Sequence, residues 1–383
     1  QNIPFLGGTL SLQSSLSRLD QFNYDSQTYN TVPLILNYTQ PIRAYNALKW
    51  RKKTAPLQYE NAQRAYLETM QDITINVTNL FFTVLSAQEN YRQSVADYED
   101  RKHLFEIAKK RLDLGTTTKS EVLQMELSLL NAKMSVNSTS LTLRTQLFSL
   151  FSYLRIVDYE DVELLPPYYM PDIEMNAEQV LDKAWTGSSH SIEQQLNLLE
   201  SQRALAEAKA NRGLQVEFRG RLGLSQSANE LPAAYRRLKD YETVGLTMTI
   251  PIYDWGMGRG KVRMAKTDVE ITKTQIEQAN IEFAHDVRTK VLQFNNQAEQ
   301  CKTSLRAQDI AAERYDIMKK RFENGSVTVT ELNTAQEEFE SAQHQYISQL
   351  QQFWTDYYGI QKLTLYDFIR KENIGVNFND LVN

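Results

Sequence analysis

The sequence predicts a mainly α-helical chain with a transmembrane β part. Four strands per chain would join those of two further copies in a trimeric 12-stranded β-barrel, which continues into a long coiled-coil α-barrel. Three observations predict it. The chain is duplicated internally at a constant shift of 210 residues, each copy carries a long helical stripe of period 3.5, and each copy is preceded by two segments of period two.

The duplication is clearest at residues 105–121, FEIAKKRLDLGTTTKSE, and 315–331, YDIMKKRFENGSVTVTE. Ile107, Lys109, Lys110, Arg111, Gly115, Thr118 and Glu121 recur as Ile317, Lys319, Lys320, Arg321, Gly325, Thr328 and Glu331. The same shift carries Pro41-Ile42 to Pro251-Ile252, Val77 to Val287, Ser94 to Ser304 and Ala132 to Ala342. Neither arm has gained or lost a net residue. Constant length suits two struts that must reach one plane.

Each copy opens with a helical run, 43–113 and 254–323. In the first, Tyr66, Met70, Ile73, Val77, Leu80, Val84, Ala87 and Tyr91 alternate spacings of four and three; in the second, Ala284, Val287, Val291, Phe294, Ala298, Cys301 and Leu305 do the same. Helices of this length extend about 100 Å at 1.5 Å per residue. Leu114-Gly115 and Asn324-Gly325 end them, where glycine takes the left-handed C-cap, and the basic residues before each turn suit the negative helix end. The chain then returns through 119–155 and 329–362, with Ser120 and Thr330 near the starts and Glu121 and Glu331 in the first turns.

The period-two segments come in pairs. Residues 5–16 set Leu6, Leu10, Leu12 and Leu16 against Thr9, Ser11, Gln13 and Ser15; residues 31–39 set Val32, Leu34, Leu36 and Tyr38 against Thr31, Asn37 and Thr39, with Ile35 an exception. Residues 214–225 and 243–250 repeat the pattern, Val244, Leu246, Met248 and Ile250 opposing threonines and Gly245. Polar stretches at 17–29 and 226–241 join each pair. One apolar and one polar face per strand is the pattern of a transmembrane barrel, lipid outside and water inside. Four strands cannot close one, and open edges do not survive in lipid. The barrel must be shared between copies, and three copies leave an open interior where two would leave a filled one.

Composition excludes several classes. Lys+Arg 42 against Asp+Glu 47 gives no basic field for nucleic acid. The lone Cys301 rules out an internal disulfide and a Cys-cluster metal site and reads as a small core residue. The four histidines, His103, His190, His285 and His344, share no ligand spacing, so neither metal nor cofactor is expected. No apolar run reaches the length of a membrane-spanning helix, and no signal peptide precedes Gln1, so the expectation is that such a segment has been removed. Gly256, Gly258 and Gly260 have the wrong spacing for a phosphate loop and read as a strand-to-helix bend. No nucleophile–base pair or paired carboxylate stands out, so an enzyme is not expected.

The doubled tips RLDLGTTTKSEVL and RFENGSVTVTELN, with the junction IPIYDWGMGRGKVRMA, resemble the TolC family of outer-membrane efflux and secretion channels over nearly the whole chain. The resemblance implies a trimer whose barrel (1–42 and 214–253) sits in the bacterial outer membrane. Two helical hairpins (43–155 and 254–362) then lie in the periplasm, an equatorial belt forms from 156–190 and 363–383, and a helix at 176–213 leads into the third strand. It implies an export duct of a tripartite efflux or type I secretion system, opened at its tips by a periplasmic adaptor and an inner-membrane pump. Leu114, Gly115, Thr116, Asn324, Gly325 and Ser326 would dock the adaptor, and Ser120, Glu121, Thr330, Glu331 and Thr334 would ring the entrance. Glu217, Arg219 and Arg221 would line the lumen. Two departures stand out. The family's helix before the first strand is absent, so the expectation is that a segment the size of 176–213 precedes Gln1; and Thr334 stands where the family often places a second acid. The rival reading is a coiled-coil scaffold of the envelope that conducts nothing.

Overall fold

The computed structural model describes residues 2–3, 7–22, 26–115, 117–157, 162–167, 170–323, 326–327 and 329–378. In chain order the elements are β1 (Asn2–Ile3), β2 (Gly8–Gln21), β3 (Ser26–Arg43), α1 (Ala47–Asp113), α2 (Lys119–Leu154), α3 (Ala177–Gly187) and α4 (His190–Arg212). There follow β4 (Gln215–Ala228), α5 (Leu231–Ala234), β5 (Lys239–Thr249), α6 (Met257–Glu323), α7 (Val329–Thr364), β6 (Tyr366–Asp367) and β7 (Glu372–Asn373). Ala47 and Met257, Asp113 and Glu323, Lys119 and Val329, and Leu154 and Thr364 are each 210 positions apart, so the duplication is kept at every helix end. The long helices have 67 residues each and the return helices 36.

The chain forms two compact units, residues 1–64 with 189–283, and residues 65–188 with 284–383. The first unit holds one antiparallel sheet in the order β1-β2-β3-β4-β5. Its strands are longer than the alternation predicts. β2 and β3 run into the stretch 17–29 expected to be their connection, and β5 begins at Lys239. Backbone pairing needs only N–H and C=O groups, so the ladder continues past the apolar rows into polar sequence. Leu6 of the expected first strand lies outside the described residues.

Opposed residues give the faces. Leu12, Leu36 and Leu222 lie side by side across three strands, Phe218 opposes Leu246, and Val216 opposes Met248. This row is solvent-exposed within the chain, Val244, Leu246 and Met248 at 76%, 59% and 57%. The other face sets Thr39 beside Arg219 and Asn37 beside Arg221. Two residues change sides: Thr31 opposes Leu16 and joins the face of Leu34 and Leu36, and Val32 goes the other way. Ser15 opposes Val32 while Gln13 opposes Ile35, so Val32 shares the polar face with Ile35 and does not continue the row of Leu34 and Leu36. The cause is a bulge at Pro33, which has no N–H for the ladder; the second register break of β3 follows Pro41.

The second unit is helical. Its core joins Phe82, Leu85, Cys301, Ile347 and Leu350, with Phe294, Phe353 and Tyr357 stacked nearby. Cys301 is 1% exposed, and burial raises its thiol pKa to about 11, as expected of a packing residue. The predicted seams differ in depth. Val287, Val291, Phe294, Ala298 and Cys301 are all buried, whereas Tyr66, Met70 and Ile73 stay largely exposed, because too little of the same chain covers them. Residues 162–167 and 170–176 form neither helix nor strand and are pinned by side-chain amides. Gln88 exchanges two 2.9 Å hydrogen bonds with the Leu164 backbone, and Asn295 pairs likewise with Met175 at 3.0 and 2.9 Å.

Residues 176–213 do not form the single helix expected. They break at Ser188-Ser189 into α3 and α4, and α3 packs on α7 so closely that a Cβ at Gly187 would lie 2.0 Å from the Thr364 carbonyl oxygen. The break places the Ser188 hydroxyl 2.7 Å from the Ala184 carbonyl, which it satisfies.

Candidate functional site

The first tip is built by its own backbone. Leu114 N–H donates to the Lys110 carbonyl (3.2 Å) and Gly115 N–H to that of Leu112 (2.9 Å), closing α1 with Gly115 at φ 71°. A Cβ at Gly115 would meet nothing within 4 Å, so the left-handed backbone, not crowding, selects glycine. Leu114 at the apex is 77% exposed.

The return helix starts on a complete capping box. The cap residue is Thr118, whose hydroxyl accepts from Glu121 N–H (3.2 Å) while the Glu121 carboxylate accepts from Thr118 N–H (2.9 Å) and from the Thr117 hydroxyl. These bonds, the Thr117 hydroxyl first, hold the Glu121 carboxyl below the usual carboxylate range. Ser120, one residue before, is exposed. Thr116 lies outside the described residues, as do Asn324, Gly325 and Thr328 of the second tip. There Ser326 N–H donates to the Arg321 carbonyl (2.9 Å), and Thr330 and Glu331 are exposed in the first turn of α7. The Thr334 hydroxyl donates to the Thr330 carbonyl (3.0 Å), so it is turned to its own helix.

Behind the tips, the two hairpins hold each other through groups of which the sequence singled out only Lys319, as a repeat of Lys109. The Asp100 carboxylate accepts from Lys319 Nζ at 3.1 Å on both oxygens and from the Tyr315 hydroxyl at 3.3 Å. Burial, then the neighbouring Asp100 charge, raises the Tyr315 pKa. Asp97 accepts from Arg101 Nε at 2.8 and 2.9 Å and from Gln336 Nε2 at 2.9 Å, and Arg101 donates to the Ser128 hydroxyl. These groups border a cavity of about 140 Å³ that Leu104, Ile107 and Leu332 also line. The signal for them lay where the repeat fails. At the shift of 210, Asp97, Asp100 and Arg101 become Ala307, Ile310 and Ala311. Lys109, the counterpart of Lys319, stays on its own helix over the Phe105 ring at 4.2 Å.

On the sheet, β4 presents Glu217, Arg219 and Arg221 on one face, opposite Thr247, Gly245 and Thr243 of β5. Arg219 is ion-paired with Glu217. Arg221 opposes Asn37 of β3 and Thr243 of β5.

Charged groups thus lie on one sheet face and at the helix tips. A sequence profile described as outer membrane efflux protein matches residues 1–154 and 188–364. No curated protein matches the chain by sequence. Among solved structures, the CmeC outer membrane channel of Campylobacter jejuni superposes with a TM-score of 0.73 at 14% identity, covering 99% of this chain and 81% of that one. The open state of the Neisseria gonorrhoeae MtrE channel gives 0.70 at 14% identity, covering 94% and 80%. The outer membrane protein VceC of Vibrio cholerae gives 0.65 at 13%, covering 94% and 86%.

Proposed function

The chain belongs to the outer membrane efflux protein family, proteins of the outer membrane with a periplasmic helical part, and from that premise we propose that three copies form one passive export duct. The observation that carries the trimer is the sheet's two open edges. Among the described residues, β5 pairs only with β4, and β2 pairs beyond β3 only at Gly8 and Thr9. Edges of this length, beside an exposed apolar row, require partner strands in lipid, and the same chain is the partner that repeats the geometry. A second stripe supports it. Leu123, Leu127, Leu130, Met134, Leu141 and Phe148 of α2 follow a heptad spacing and are 54–68% exposed, a coiled-coil seam awaiting another helix.

In this reading 1–42 and 214–253 supply the barrel and 43–155 and 254–362 the periplasmic hairpins, with 156–190 and 363–383 between them. The polar face with Glu217, Arg219 and Arg221 lines the lumen. Ser120, Glu121, Thr330, Glu331 and Thr334 ring the periplasmic entrance, and Leu114, Gly115, Thr116, Asn324, Gly325 and Ser326 dock an adaptor that couples an inner-membrane pump. The duct performs no chemistry; the pump supplies energy and selectivity. The test is reconstitution of purified protein in a planar bilayer, with its mass measured in neutral detergent. Three times the 44.3 kDa chain mass, with stepwise ion conductance, is the expected result. A monomer stable without detergent that conducts nothing would overturn the duct in favour of a scaffold.

A further inference from the structure

We propose that the end of the sheet from which α1 and α6 depart docks anionic phospholipid headgroups, through exposed cations in the first two turns of both helices. The inference rests on the membrane-barrel reading. Five cations and no acid lie between residues 43 and 53, and four cations and one acid between 250 and 266, in a chain whose net charge is −5. Arg51, Lys52, Lys53, Arg259, Lys261 and Arg263 are all exposed.

These cations sit at the wrong end of their helices. A helix N-terminus is positive and favours acids in its first turn, as Glu121, Glu178, Glu193 and Glu331 provide for α2, α3, α4 and α7. α1 and α6 carry none there. The lone acid, Asp254, is committed to the backbone, accepting from Gly256 N–H at 3.0 Å and Gly258 N–H at 2.7 Å. The acid that α6 has is thus spent on its own first N–H groups and α1 has none, so the surplus of cations repeated at the same place in both copies points to an external anion.

Position identifies the anion. β3 and β5 end at one level of the sheet, Arg43 and Met248 both opposing Val216. Arg212 at the end of α4 reaches the same place, its Cγ 3.1 Å from where a Cβ on Gly258 would be. Beyond the end of β5, Ile250 and Ile252 are exposed and lead to Tyr253 and Trp255, whose rings pack edge-on at 4.6 Å. Amphipathic rings at the end of a lipid-facing row mark headgroup depth, and cations immediately beyond them face phosphates. The opposite end of the sheet is mixed in sign, with Arg18 paired to Asp20 and Lys239 followed by Asp240 and Glu242. Attraction for anionic lipid is therefore confined to the side on which the helices begin.

The test titrates the purified full chain in neutral detergent with dioleoylphosphatidylglycerol or dioleoylphosphatidylcholine, reading the melting midpoint and retained lipid by native mass spectrometry. The expected result is a preference of about tenfold for phosphatidylglycerol that weakens severalfold in high salt. R51Q/K53Q/R259Q/K261Q removes most of that preference, while K109Q/K110Q at the tip keeps it. If the fourfold variant does not fold, R51Q/K53Q and R259Q/K261Q each reduce the preference. Equal affinity for the two lipids, or a preference that survives these changes, overturns the proposal. Conductance of the same preparations reads the duct separately, so a conducting channel without lipid preference removes this inference alone.

Discussion

Lys319 places its ammonium 3.1 Å from both oxygens of the Asp100 carboxylate, and so ties the second helical hairpin to the first. Both groups are more than a third exposed, which limits the ion pair to about 0.5 kcal/mol. Asp100→Asn and Lys319→Met should each lower stability by about that amount, and the double variant by little more than either single change. A denaturation cycle measures the coupling; additive effects would show that the pair does not hold the hairpins. If tip separation opens the duct, both variants also raise its open fraction in bilayers.

The first tip should loosen in acid. Glu121 has a depressed carboxyl pKa in the folded state, so its contribution is complete above the unfolded value of 4.5 and is lost as pH falls through the lower folded one. Hydrogen exchange at Glu121 and Val122, corrected for intrinsic rate, should show protection at pH 6 that drops below the ordinary carboxylate range. Glu121→Gln should remove the pH step. Thr118→Ala should cost the tip about 1 kcal/mol at any pH where the box is intact.

Gly115→Ala meets no steric obstacle, yet should destabilise the turn by about 1 kcal/mol through its positive φ alone. Leu114→Ala leaves that backbone unchanged and removes the exposed apex side chain. Site-specific crosslinking to an adaptor in cells separates the two effects. If both variants crosslink and export as the parent does, the first tip is a turn and not a docking surface.

Lumen charge should be felt unequally. Arg219 is ion-paired with Glu217, whereas Arg221 opposes the uncharged Asn37 and Thr243. Arg221→Ser should shift the reversal potential in a salt gradient further toward cations than Arg219→Ser does. No shift in either variant would place these side chains away from the conducting path.

The exposed stripe on α2 predicts where assembly fails. Leu127→Glu/Leu130→Glu puts charge into heptad positions that are 61% and 54% exposed within the chain. The helical content should persist and the mass in neutral detergent should fall below the trimer. A trimer of unchanged melting temperature would assign the stripe no role in assembly.

The helical hairpins were legible because heptad spacing and a fixed shift are properties of the chain read along its length. All eight ends of α1, α2, α6 and α7 keep the shift of 210 that the tip motifs announced. Strand length was less legible, since the paired backbone of β2 continues through Arg18 and Asp20 without regard to side-chain polarity. Val32 was assigned to the wrong face because strict alternation takes no account of the bulge at Pro33.

Periodicity and the doubled tips by themselves determined the kind of chain this is: two helical hairpins, each preceded by strands with one apolar and one polar face. Only tertiary structure decided that Asp100 meets Lys319, that α3 and α4 part where Gly187 presses on Thr364, and that Arg43 and Met248 end at one level opposite Val216. Spacing along a helix or strand reports which way a side chain points from its own element. What it meets depends on how separate elements are brought together, and that register belongs to the packed molecule.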